Sequence, residues 1–378
     1  MSTATLTPFA GTQVVLWGGL LLGLALGALA QASRFCTMGA LADWFSFGGT
    51  ARLGMWVLAA SAAALGTQAL ISLQVFDATR ALPWSPRLAW LSCIVGGLLF
   101  GVGMVLASGC PQRSLVKAGA GNLKAIVTLL AAGLAAQMTL RGVFAELRTA
   151  WLDRWSLALD RPQDLGSLVA PALGAPAGVL RWVLLGIALA AVAAWLWRVR
   201  GTLDPVHWIG GLLVGLLVPL AWALTGHAGY LAEHPETLEP AWLGTQSHRP
   251  EALTFAAPLA HTLDLLTLWS DKNTTASFGV VVVLGVLAGS LASALWRREF
   301  RLESFRTPQD LADHLLGGVL MGFGGVTALG CSIGQGVSGI SMLSAGSVLA
   351  VAGIVLGARL ALRLQERRIE RLATAGAA

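Results

Sequence analysis

The chain has 378 residues, of which 56% are hydrophobic and only 12% charged, about half the charge of an average soluble domain. That balance excludes a soluble globular protein and points to a polytopic membrane protein. The formal charge of +6 does not point to nucleic acid. The basic residues lie between apolar spans and in the tail, where the positive-inside rule puts them.

Met1 to Ala10 has no basic n-region, so a cleavable signal peptide is not expected. Nine stretches then have the length and hydropathy of a membrane-crossing helix: residues 11–31, 52–74, 88–108, 123–143, 179–197, 206–226, 277–296, 314–330 and 345–364. Helix is the expected conformation, because an open chain in lipid must satisfy every backbone N–H and C=O internally. Trp17, Trp90, Trp182, Trp208 and Trp296 fit an interfacial aromatic belt.

Three segments between spans are too short to cross: 33–47, 109–122 and 330–345. Each carries a cysteine near its start, and the last has almost no polarity and no charge after Cys331. They are expected to be short re-entrant helices, which are tolerated at membrane depth where they line protein or a wet cavity. Residues 144–176 are more polar and are expected to hold an interfacial helix with Trp151 and Trp155, followed by a Pro/Gly linker. Residues 227–277 form an acidic loop with two short helical candidates. The expected division is an N-terminal half, 1–160, a linker, 161–178, and a C-terminal half, 179–378, within one membrane domain.

Gly-Gly-x-x-x-Gly occurs four times, beginning at Gly18, Gly96, Gly210 and Gly317. Glycines four apart make a small helix face that permits close contact. Two copies, 94–114 and 315–335, also end in Gly109-Cys110 and Gly330-Cys331. Counting alternating spans puts 16 of the 25 Lys and Arg on the side opposite the N-terminus. That side is expected to be cytoplasmic, with Met1 periplasmic and Ala378 cytoplasmic. The two Gly-Cys copies then run in opposite senses, so the expected fold is all-α, with about nine transmembrane helices in two inverted, pseudo-symmetric halves forming an hourglass. Inverted repeats with interrupted helices are a transporter signature.

The four cysteines form no C-x-x-C pair and no clustered His accompanies them, so neither a zinc site nor a disulfide framework is expected. Asp310, Asp313 and His314 have helical spacing but read as the charged start of a span. No cofactor is implied. Pro111 suits the first turn of a helix, and Ser332 offers a similar start. Two helix N-termini pointing inward from opposite faces would favour an anion. A thiol in apolar surroundings stays protonated and is a weak donor, so Cys110 and Cys331 could pass on a soft anion without holding it. Gln112, Ser114 and Gln335 could add donors. Cys36 begins a polar re-entrant piece beside Arg34, which could draw an anion or simply mark the cytoplasmic face. Cys93, outside any motif and read as mid-span, is expected only to pack.

Ser33-Arg34-Phe35-Cys36 with Gly39, Ala40 and Asp43, Ser108-Gly109-Cys110-Pro111, and Leu329-Gly330-Cys331-Ser332-Ile333-Gly334-Gln335-Gly336 together resemble the YeeE/YedE family of sulfur-compound transporters. Residues 299–305, and Pro258-Leu259 with Thr262-Leu263-Asp264, resemble its second half. The resemblance covers nearly the whole chain. It implies thiosulfate uptake across a bacterial inner membrane, with Cys36, Cys110 and Cys331 lining the path. It also implies a TusA-like cytoplasmic sulfur carrier as a partner. Residues 151–176 have no match in it. Two alternatives stay open: a membrane sulfurtransferase using a cysteine persulfide, kept alive by Arg113 near Cys110, and transport of a selenium compound.

Overall fold

The computed structural model describes residues 8–235 and 237–376. Its helices in chain order are α1 (Pro8–Ser33), α2 (Thr37–Phe47), α3 (Ala51–Ser72), α4 (Trp90–Leu106), α5 (Pro111–Gly119), α6 (Leu123–Arg141), α7 (Val143–Leu147), α8 (Leu165–Leu173), α9 (Ala177–Val199), α10 (Pro205–Ala223), α11 (Ala256–Thr267), α12 (Phe278–Trp296), α13 (Pro308–Thr327) and α14 (Ala345–Gly376). Short 3-10 and π-helical turns and two two-stranded ribbons accompany them: β1 (Arg87–Leu88) with β2 (Leu157–Ala158), and β3 (Tyr230–Leu231) with β4 (Ala241–Trp242). Among the described residues eight helices are long and apolar enough to cross a bilayer. The ninth expected span is α13, a 20-residue helix whose first turns carry Asp310, Asp313 and His314. Lys124 meets Asp310 at 2.6 Å and Arg368 meets Asp313 at 3.7 Å.

The glycine motifs decide which helices meet. Gly23 and Gly27 of α1 lie against the backbone at Val282 and Val286 of α12, and Gly211 and Gly215 of α10 against Met55 and Ala59 of α3. Gly97 and Gly101 of α4 lie against Ala350 and Ile354 of α14, and Gly318 and Gly322 of α13 against Thr128 and Ala132 of α6. A side chain at any of these positions would enter the partner's backbone, so the helices approach only because the residue is glycine. Residue numbers rise together along each pair, so the paired helices are parallel. The α4–α13 contact is the reverse: Gly96 meets Gly324 and Gly103 meets Gly317, so these two are antiparallel.

Every one of these contacts joins a helix before residue 160 to one after residue 179. The pairings also exchange: α1 on α12 corresponds to α10 on α3, α4 on α14 to α13 on α6, and α2 on α3 and α14 to α11 on α12 and α6. Loops sort to two ends. At one end Gln31 reaches Glu299 (3.1 Å), Asn122 reaches Glu303 (2.6 Å) and Ser46 reaches Glu366 (2.7 Å). At the other, the Trp84 indole donates to the Met342 carbonyl (2.8 Å), Ala345 N–H to Gln163 C=O (3.0 Å) and Phe278 N–H to Gly244 C=O (2.7 Å). The described chain therefore begins at one end, with Gly11 against Leu243, and finishes at the other.

Three expectations need correction. Residues 227–277 hold one helix, α11, and the β3–β4 ribbon rather than two helices; two-residue strands are too short to show a period. The stretch read as a Pro/Gly linker contains α8, capped at its start by the Asp164 carboxylate on Ser167 N–H and ended by Gly174 at φ 61°. Cys93 is not mid-span: α4 starts at Trp90, which places it in the first turn. It packs there with Ala328 and Ala350. Cys93→Ala is expected to leave uptake within about twofold and to cost about 1 kcal/mol of stability, measured by liposome flux and by thermal unfolding.

Candidate functional site

The three motif cysteines are positioned by one repeated device. Helix α4 ends at Ser108 in the left-handed conformation (φ 54°) and α13 ends at Leu329 (φ 59°); α1 is followed in the same way by Arg34 (φ 56°). Gly109 N–H bonds back to Met104 C=O and Gly330 N–H to Gly325 C=O, both at 2.8 Å, which satisfies carbonyls that a helix end would leave bare. In each case the cysteine comes two residues after the left-handed one and opens the next helical piece. Cys36 caps α2, its sulfur accepting from Gly39 N–H at 3.2 Å. Cys331 opens the helical stretch 332–341, its sulfur accepting from Gly334 N–H at 3.4 Å. Cys110 precedes Pro111 at the first position of α5, with no sulfur cap bond formed.

Cys110 and Cys331 are 0% exposed and Cys36 8%. The Cys36 and Cys331 sulfurs are near enough to Cys110 to act on it electrostatically, with the Ser332 hydroxyl beside it, so the fold brings together cysteines 74 and 221 residues apart in the chain. The sequence between Cys331 and Ala345 is buried, as its lack of charge implies. Ser341 accepts from Thr67 of α3 (3.1 Å) and from the Trp222 indole of α10 (3.4 Å), and Ser338 donates to Leu253 C=O (2.8 Å). Trp56 of α3 joins the two ends of the site: its indole donates to Thr37 (3.2 Å) and its ring lies against Gly336.

The remaining candidate residues divide by what their polar atoms do. Gln335 is fully used: its amide donates to Ala328 C=O and accepts from Ser347, each at 2.6 Å. It braces the helical stretch onto α14. Ser114 is buried on α5, with its N–H bonded to Cys110 C=O. Gln112 and Ser332 are different. Both are buried; the Gln112 amide has no formed hydrogen-bond partner, and the Ser332 hydroxyl has only the Cys110 sulfur beside it. A buried amide left in this state costs about 1–3 kcal/mol, and here it stands two residues from Cys110. Such donors suit a passing anion.

Cations stand on the side of α5. Lys117 Nζ donates to Ser108 C=O at 2.6 Å, and the Arg113 guanidinium to Ala30 C=O at 3.4 Å. Among the described residues no group of three or more His, Cys, Asp or Glu could hold a metal ion. On the other side, a vestibule of about 540 Å³ opens between the loops; Arg249, Glu251, Thr254, His261, Gly330 and Gly334 contribute to its lining. None of Arg249, Glu251 and Thr254 was legible as a site residue, because nothing in their local sequence distinguishes them from an ordinary loop. Burial pushes the Glu251 carboxyl above the usual carboxylate range, against the opposing pull of the Ser247 N–H bond (2.8 Å) and His248. The acid is therefore neutral at low pH and gains its charge as pH rises through that raised value. A negative charge in the vestibule opposes an incoming anion. Uptake is expected to fall roughly fivefold on that rise, about the effect of one like charge a few ångströms away in water, and Glu251→Gln should flatten the profile.

This is a helical membrane protein in which three buried thiols stand near one another, with cations at both ends, the class of a membrane transporter. The family model described as sulphur transport matches residues 32–360, and the chain belongs to that family. It is 29% identical over 381 residues to the thiosulfate transporter TsuA of Escherichia coli (strain K12), covering 95% of this chain and 98% of that protein. It is 25% identical over 351 residues to the thiosulfate transporter TsuA of Spirochaeta thermophila, covering 91% and 97%.

Proposed function

We propose that the protein carries thiosulfate across the membrane along Cys36, Cys110 and Cys331. The observation that carries this reading is the convergence of three buried thiols with the unpartnered Gln112 amide and the Ser332 hydroxyl beside Cys110. Conduction needs several weak sites rather than one strong one. Neutral thiols are weak donors, and a soft sulfur anion can move between them without a covalent bond. The protein is then a transporter and not an enzyme.

The halves, 1–160 and 179–378, are inverted copies in this reading, supported by the antiparallel α4–α13 contact and by the exchange of helix pairings. The end carrying Arg34, Arg113, Arg301 and the tail faces the cytoplasm, as the excess of Lys and Arg there supports; accessibility of tags at the two chain ends checks it. A TusA-like carrier would collect the sulfur compound at that end. Because each half is packed on the other by backbone-to-backbone seams, rocking one half against the other would open all of them. The closed packing therefore favours a facilitator with a fixed frame.

The test is uptake of thiosulfate, sulfite, sulfate and selenite by the purified protein in liposomes. Thiosulfate flux without a covalent adduct is expected. Preference for selenite would replace the substrate, and a stable labelled persulfide on Cys110 would favour a sulfurtransferase.

A further inference from the structure

We propose that Thr254 is a fourth group on the path, a positioning residue that passes the anion between the vestibule and Cys331; the inference rests on the cysteine-path reading. Cys331 is fully buried and does not line the vestibule, whereas Thr254 does. The Thr254 hydroxyl lies 3.9 Å from the Cys331 sulfur, within hydrogen-bonding range for sulfur. Thr254 therefore touches both the open space and the first thiol.

Its hydroxyl is also uncommitted. Thr12, Thr128, Thr139, Thr225 and Thr262 each donate to the carbonyl four residues back. Thr254 stands ahead of α11 and has no such carbonyl in its own helix. Among the described residues the hydrogen-bond partner of its hydroxyl is Cys331. Gly334 keeps that approach open, because a side chain there would occupy the place of the Thr254 oxygen. α2 and α11 exchange in the packing pattern, but the registers differ: Cys36 stands directly before α2, and Thr254 stands one residue ahead of Phe255, which directly precedes α11. A hydroxyl donates and accepts at once, so it can hold the anion by one bond while accepting from the Cys331 S–H.

The test compares Thr254→Val, which keeps the shape and removes the hydroxyl, with Thr254→Ser and Thr254→Ala, all in liposomes beside Cys331→Ala. The expected result is a KM for thiosulfate raised roughly tenfold in the Val and Ala variants, the loss of one hydrogen bond to an anion. The maximal rate should change less, and Ser should restore the KM. If Val fails to fold, Ala decides. A normal KM in Val or Ala while Cys331→Ala is inactive overturns the role of Thr254 and leaves the cysteine path standing. Full uptake by Cys331→Ala overturns both.

Discussion

Cys110→Ala and Cys331→Ala are expected to cut thiosulfate uptake by about ten- to hundredfold, the range spanned by losing one hydrogen bond to a charged group. Both thiols are wholly buried at starts of helical pieces, and the change to Ala is small in volume. A loss of flux in protein that still inserts and stays monodisperse therefore reports on the thiol and not on packing. Cys→Ser at the same positions separates two parts of the thiol's role. It keeps a donor but replaces a soft, polarizable sulfur with a strongly hydrogen-bonding oxygen. The serine variants are also expected to be nearly inactive if softness matters. The measurement is initial uptake in liposomes, normalised to incorporated protein. More than about half the wild-type rate in both alanine variants would remove the cysteines and leave only the helix N-termini as an anion site.

Gln112→Met should lower uptake by about tenfold and at the same time leave the protein as stable as wild type or more so. The amide is buried with both its oxygen and its nitrogen unpartnered, a state that costs about 1–3 kcal/mol in a folded protein. Methionine has nearly the same shape and no such cost. A residue kept only for packing would show the opposite pattern, with unchanged flux and a lower melting temperature. Measuring both on one preparation decides between them.

Much of this was readable in the chain itself. The nine spans agree with the helices to within a few residues, since twenty apolar residues carry a strong signal. There are two exceptions: α14 continues to Gly376, twelve residues past the apolar stretch, and α13 starts at Pro308, six residues before the hydropathy suggests. Its polar first turn hides it, although the Thr307 cap on Asp310 N–H and Pro308 were there to read. Gly109-Cys110 and Gly330-Cys331 were visible because a repeat marks them. What the sequence withheld was convergence. Nothing local says that Gln335 is tied to Ala328 and Ser347 while Gln112 is left free, because that depends on which helix passes alongside. Thr254 and Glu251 come to the site only because the chain before α11 returns against Thr225, Cys331 and Ser338.

The interleaving of the two halves has a consequence for how the chain is made. The glycine faces of α1 and α4, and the faces of α3 and α6 that receive the glycines of α10 and α13, are filled by α12, α14, α10 and α13, all of which leave the ribosome later. The first half must therefore wait in the bilayer with its seams open until the last helix, α14, has been inserted. Nothing resembling the finished path exists before then. Separately expressed halves should persist only when they are made together, and a chain cut short before Ala345 should be a substrate for membrane quality-control proteases.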